Sequence, residues 1–112
     1  MEERAHRSEK IAELFRREVS RFIKETVDTP ADIFITVSKV VPSGNRQLAD
    51  VFLTIFPFER SEETVELVQK HVSKIQHALN KELKMRPVPK IRFVLDESEE
   101  KARKILDILS ES

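Results

Sequence analysis

Residues 61–98 constrain the fold of this 112-residue chain more than any other stretch. Val68, Val72, Ile75, Leu79 and Leu83 recur at helical spacing and form one apolar stripe. Lys70, Lys74, His77, Lys81 and Lys84 recur at i, i+4, i+7, i+11 and i+14, a second stripe nearly opposite the first. A helix of this kind is held by burying its apolar stripe. The other stripe then faces solvent with four ammonium groups and an imidazole. Pro87 lacks the donor that a helix interior needs and pushes the preceding residue out of the helical region, so the helix is predicted to stop there. After Pro89, Ile91, Phe93 and Leu95 alternate with Arg92 and Val94, the period-two signature of a strand.

The rest of the chain supplies partners for that unit. Ile11, Leu14, Phe15, Val19, Phe22 and Ile23 give a helix over residues 8–27 one apolar face, with Ser8 as N-cap and Asp28-Thr29-Pro30 as its end. Residues 32–41 and 48–56 alternate as strands, and the short Pro42–Gln47 connection makes them an antiparallel hairpin. Residues 57–60 form a loop, and Ser61 caps the long helix, with Glu62 and Glu63 at the positive end of its dipole. Asp96-Glu97-Ser98 caps a last helix whose apolar face, Ala102, Ile105, Leu106 and Leu109, is weak. The predicted order is helix-strand-strand-helix-strand-helix. It is an α+β chain with a three-stranded sheet and helices packed on one face, a single domain over residues 1–112. Ile33, Ile35, Val37, Val51, Leu53, Ile55, Ile91, Phe93 and Leu95 are predicted to face the helices.

Composition removes several functions. There is no Cys, which excludes a disulfide framework, a thiol nucleophile and a cysteine-based zinc site and fits a reducing compartment. No apolar run approaches the roughly 18 residues of a membrane span, and Met1-Glu2-Glu3-Arg4 is too charged for a signal peptide. The expected location is the cytoplasm, with no membrane partner. His71 and His77 do not share a helical face, and no acid pair lies beside them, so no metal site is expected. No nucleophile with a base, no glycine-rich phosphate loop and no isolated carboxylate pair is present. The chain reads as a non-enzyme with no cofactor and no small-molecule substrate.

Charge is informative by its distribution. The total is zero, yet residues 64–92 hold two acids and seven bases, a local net of +5. That local excess sets the potential a phosphate would feel. A charged outer helix face is ordinary in itself, and lysines suit a helix C-terminus. Here Glu66 and Glu82 are the only acids between Thr64 and Arg92, so the usual interspersed partners are missing. The second sheet face, with Phe34, Phe52 and Phe56, is mixed. It reads as a surface partly covered by the last helix, or as one that stacks bases or a protein partner.

Three stretches carry a family resemblance: Arg7–Glu18, Ala49–Thr54, and Arg86-Pro87-Val88-Pro89-Lys90-Ile91-Arg92-Phe93-Val94-Leu95-Asp96-Glu97-Ser98. Together they resemble ribosome-binding factor A, a family of small bacterial factors for maturation of the small ribosomal subunit. The last stretch matches the family's Arg-x-Val-Pro-x-hydrophobic-x-Phe-x-x-Asp-x-Ser run. The resemblance implies a KH-like (type II) fold whose Gly-x-x-Gly loop is replaced by an Ala-x-Gly kink. That kink falls on His71-Val72-Ser73, where His and Ser stand in for Ala and Gly. The helix is then either continuous or kinked through Ser73. Asp50 stands where the family usually has a basic residue, and the long basic tail of some members is absent. The resemblance adds RNA to the reading of the stripe. Lys70, His71, Ser73, Lys74, His77, Lys81, Lys84, Arg86, Lys90 and Arg92 are expected to meet ribosomal RNA of the small subunit, with the chain acting as a monomer. Two other readings stay open: a protein-interaction module using the phenylalanine face, and a KH-like RNA binder outside ribosome biogenesis.

Overall fold

The computed structural model describes residues 2–45 and 47–111, with side chains described from Lys10 onward. Helix α1 covers Glu2–Thr26, followed by strands β1 (Phe34–Pro42) and β2 (Leu48–Phe56). A short 3-10 turn at Phe58–Arg60 leads into α2 (Ser61–Lys70) and α3 (Val72–Glu82). Strand β3 (Lys90–Leu95) and helix α4 (Ser98–Glu111) complete the chain. With α2 and α3 taken as one interrupted helix, this is the predicted α+β order.

The sheet runs β1-β2-β3, with β1 and β2 antiparallel and β2 and β3 parallel. One face is the core. Phe15, Val19, Phe22 and Ile23 of α1, Val68 of α2, and Ile75 and Leu79 of α3 close over Val37, Val51, Leu53, Ile55, Ile91 and Phe93. Ile35 and Leu95 lie at the margin of that core and are half-buried. The β1–β2 register slips by one residue between Val37 and Lys39, which leaves Ser38 as a bulge.

Several boundaries differ from the predicted ones. Helix α1 starts at Glu2, so Ser8 lies inside it and is not a cap; the side chains of His6 and Ser8 lie outside the described residues. Ile11 and Leu14 are exposed, because α1 runs past the sheet before Phe15 reaches it. Arg60 stands at the N-cap of α2 without a side-chain capping bond, while Ser61 is the first helical residue and is buried. Helix α3 ends at Glu82 and not at Pro87, because Leu83 is already extended (φ −83°, ψ 134°). Arg86 explains that early end. Its guanidinium donates to the carbonyls of Asn80 (3.0 Å) and Leu83 (2.7 Å), which the helix C-terminus leaves unpaired, and to that of Met85 (2.7 Å) in the loop.

Two side-chain devices fix the sheet. Asp96 accepts from the Ser98 amide (3.0 Å) and hydroxyl, capping α4 as predicted, and from Ser38 Oγ (2.7 Å), which ties the β1 bulge to the end of β3. These bonds to Ser98, first its hydroxyl, hold the Asp96 carboxyl down to about 2. The folded state therefore prefers the ionised form. The stabilisation is complete above the ordinary carboxylate range and is lost as pH falls toward 2. Acid unfolding of the wild type should show this loss, and Asp96→Asn, which keeps a capping acceptor but no titrating group, should flatten it. An unchanged acid profile in Asp96→Asn would remove the carboxylate from the account.

Gln76 of α3 is the second device. Its amide donates to the Pro89 carbonyl (3.0 Å) and its oxygen accepts from the Ile91 amide (2.9 Å). Gln69 of α2 accepts from the Phe93 amide (3.1 Å). The two glutamines thus satisfy the outer edge of β3 as a neighbouring strand would. Gln76→Ala should cost about 1–3 kcal/mol, since both main-chain groups lose their partner while partly buried. Amide exchange at Ile91 should accelerate with it, and unaltered exchange there would show that water replaces the glutamine without loss.

Helix α4 is the exception to helices packing on the core face. None of its residues is buried, and Ile105, Leu106 and Ile108 are exposed. The radius of gyration, 15.8 Å, exceeds the roughly 13 Å of a compact chain of this length, as the projecting α4 and first turns of α1 require.

Candidate nucleic-acid interface

Helices α2 and α3 are separated by one residue. His71 has φ −100° and ψ 9°, the bridge region open to any L-residue, so the interruption needs no glycine. Its amide bonds the Val68 carbonyl (2.9 Å) in place of the Leu67 carbonyl that a regular helix would use. The Leu67 carbonyl so released lies 2.9 Å from His71 Nδ1, and the ring fills the lost position as donor. The Ile75 amide then returns to the His71 carbonyl (3.1 Å) and the helix resumes. The interruption falls on His71, two residues before Ser73, which is exposed on the first turn of α3.

Lys74, His77 and Lys81 form one exposed line on α3, opposite the buried Ile75 and Leu79. Lys70 ends α2 and is exposed beside the interruption. Lys84 lies beyond the end of α3, so the last member of the predicted stripe sits in the loop. Among the described residues, none of Lys70, Lys74, Lys81, Lys84 or Lys90 has an acid within ion-pair distance. Glu82, the acid nearest in sequence, turns toward α1 and meets Arg21 at 3.4 Å.

The chain matches the family model "Ribosome-binding factor A" over residues 7–109. It belongs to that family. A ribosome-binding factor A from Trichlorobacter lovleyi is 32% identical, the alignment covering 94% of this chain and 86% of the relative. The crystal structure of ribosome-binding factor A from Thermus thermophilus superposes with a TM-score of 0.66 at 20% identity, over 77% of this chain and 91% of that one. A model of the Thermus factor fitted into a map of its complex with the 30S particle gives 0.56 at 20% identity, over 74% and 92%.

Against the ribosome-binding factor A pattern, the predicted set divides into three places. Lys70, His71, Ser73, Lys74, His77 and Lys81 cluster along the interrupted helix, with His71 half-buried and engaged by Leu67. Lys84 and Arg86 lie in the following loop, Arg86 spent on helix carbonyls but with no acid partner among the described residues. Lys90 and Arg92 point to the opposite face of the sheet from Ile91 and Phe93, away from the helices. Arg92 makes a two-bond ion pair with Asp50, its register partner (3.0 Å each), and that hydrogen bonding holds the guanidinium above its usual range. Asp50 thus neutralises one predicted phosphate ligand. Sequence reasoning missed Lys39, whose ammonium lies 4.7 Å from the centre of the Phe52 ring on that same face. The bulge that sets them side by side leaves no simple pattern in the sequence.

Proposed function

We propose that this chain binds the immature small ribosomal subunit through its RNA, assisting late assembly and ribosomal RNA processing as a monomeric, non-catalytic cytoplasmic factor of one domain. The observation that carries the reading is the line of lysines along α2 and α3, without acid partners among the described residues, in a chain whose total charge is zero. The Thermus relative fitted on the 30S particle supports the choice of particle. Lysines in such a line hold phosphates by charge, so recognition rests on the shape of folded RNA more than on base identity. The body of the domain then occupies a position that mature partners would otherwise fill.

The experiment is co-sedimentation with purified small and large subunits at low and moderate salt. The wild type should travel with small subunits, and the bound fraction should fall as salt rises. Binding to both subunits alike, or recovery of diverse cellular RNAs in a pulldown, would replace this reading with that of a general RNA binder.

A further inference from the structure

We infer that His71 reads the sugar of the bound RNA: its Nε2 accepts a hydrogen bond from a ribose 2′-hydroxyl, a group that DNA lacks, and this assignment rests on the RNA reading proposed above. His71 Nδ1 lies 2.9 Å from the Leu67 carbonyl oxygen. A carbonyl only accepts, so Nδ1 carries the ring proton. In the neutral ring the other nitrogen, Nε2, is then an acceptor, and the main-chain bond keeps it one.

Nε2 is also within reach of a ligand. His71 is half-buried, and Nε2 has no partner among the described residues. No unpartnered side-chain nitrogen or oxygen is buried among those residues, so Nε2 is open to solvent. His71 stands between Lys70 and Lys74 in the chain, with Lys74 its neighbour one turn on. Both lysines are exposed, and neither has an ion-pair partner among the described residues.

The side chains around it offer no equivalent. Ammonium groups only donate. The Gln76 oxygen is spent on the Ile91 amide. Ser73 and His77 are exposed, and among the described residues no bond fixes where the hydroxyl or the ring proton points. His71 therefore places one oriented acceptor in a line of donors.

That acceptor has no use for the phosphates, which accept hydrogen bonds themselves. Nucleic acid donates from the N–H groups of its bases and, in RNA alone, from the 2′-hydroxyl. Consecutive phosphates of one strand are joined through a ribose. A strand with phosphates on Lys70 and Lys74 carries a ribose past the residue between them, and its bases lie beyond that sugar. The lysines thus supply an attraction that RNA and DNA share, and His71 supplies the discrimination.

The probe is small-subunit ribosomal RNA transcribed with cleavable 2′-deoxynucleotides scattered at random. It is reconstituted into particles with total small-subunit proteins and sedimented with the whole chain at about pH 8, above the ordinary imidazole range. Cleavage then reads which positions are depleted from the bound particles relative to the starting pool. Deoxy substitution at one ribose should deplete bound particles roughly threefold to tenfold, the effect of one neutral hydrogen bond. His71→Phe should abolish that depletion and leave depletion at any other ribose in place. This variant should fold, because the interruption suits any L-residue and water can serve the Leu67 carbonyl. Lys74→Gln should weaken binding to every particle alike and keep the depletion. A His71 that only shapes the helix affects ribose and deoxyribose particles equally, so a depletion pattern unchanged in His71→Phe overturns the inference. Depletion that His71→Phe abolishes for inosine or purine riboside, and not for 2′-deoxynucleotides, also overturns it, because the donor is then a base amine. A second measurement needs no variant. Diethyl pyrocarbonate attacks an unprotonated ring nitrogen, and bound particles should shield His71 of the wild type from it; an unshielded His71 overturns the inference. Wild type that binds particles and fails either test sinks this assignment alone, whereas wild type that binds no particle sinks the proposed function with it.

Discussion

Leu53→Ala should lower the free energy of unfolding by about 2–5 kcal/mol. Leu53 sits in β2, the central strand, where β1 and β3 flank it through Val37 and Leu95. It is fully buried, 0% exposed, beneath helices held by one shared core. Removing its isopropyl end leaves a space that the neighbouring strands, hydrogen-bonded on both sides, cannot move in to fill. The loss is large against the roughly 5–15 kcal/mol that holds a small domain together. Leu48→Ala on the same strand is the control, since Leu48 is 54% exposed and its truncation should stay within about 0.5 kcal/mol. Urea melts measure both. Equal midpoints for Leu53→Ala and the wild type would show that the core tolerates the cavity.

The contrast between those two leucines marks what the sequence can and cannot say. Val51, Leu53 and Ile55 were legible as the buried side of a strand because period-two alternation fixes the face once one face is covered. The same logic found Phe15, Val19, Phe22 and Ile23 on α1. It failed at Ile11 and Leu14, whose periodicity continues although no sheet lies beneath them; a helical pattern carries no record of where its partner ends. Lys84 failed for a related reason. Its spacing extends the stripe, but Arg86 folds back on the carbonyls and ends the helix first.

Partners distant in sequence were the least legible. Gln69 and Gln76 look like ordinary exposed residues of a helix until β3 is placed against them. Arg92 looks like a free cation until the parallel β2–β3 register sets Asp50 beside it. The family resemblance left the helix either continuous or kinked through Ser73, and it carried nothing of the chemistry at His71. A histidine ring supplying the bond that the main chain gives up has no signature in spacing alone.

Reversing Lys70, Lys74, Lys81 and Lys84 together to Glu should weaken binding to small subunits about 1,000-fold at 0.1 M salt. Each exchange removes two units of charge, so the +5 of residues 64–92 becomes −3. Four lost phosphate contacts flatten the salt dependence by about 3 in log–log slope, which near 0.1 M corresponds to about 4 kcal/mol. Any one of the four changed alone should reduce the slope by about 1. Arg92→Gln should change binding far less, because Asp50 already neutralises that guanidinium. The comparison isolates the lysine line from basic charge in general. Circular dichroism must show the reversed variant folded, since glutamate near the α3 C-terminus opposes the helix dipole by a few tenths to about 1 kcal/mol. If the folded variant still sediments with small subunits as the wild type does, the lysine line is not the contact. Lys39 and Phe52 on the far sheet face then become the surface to change next.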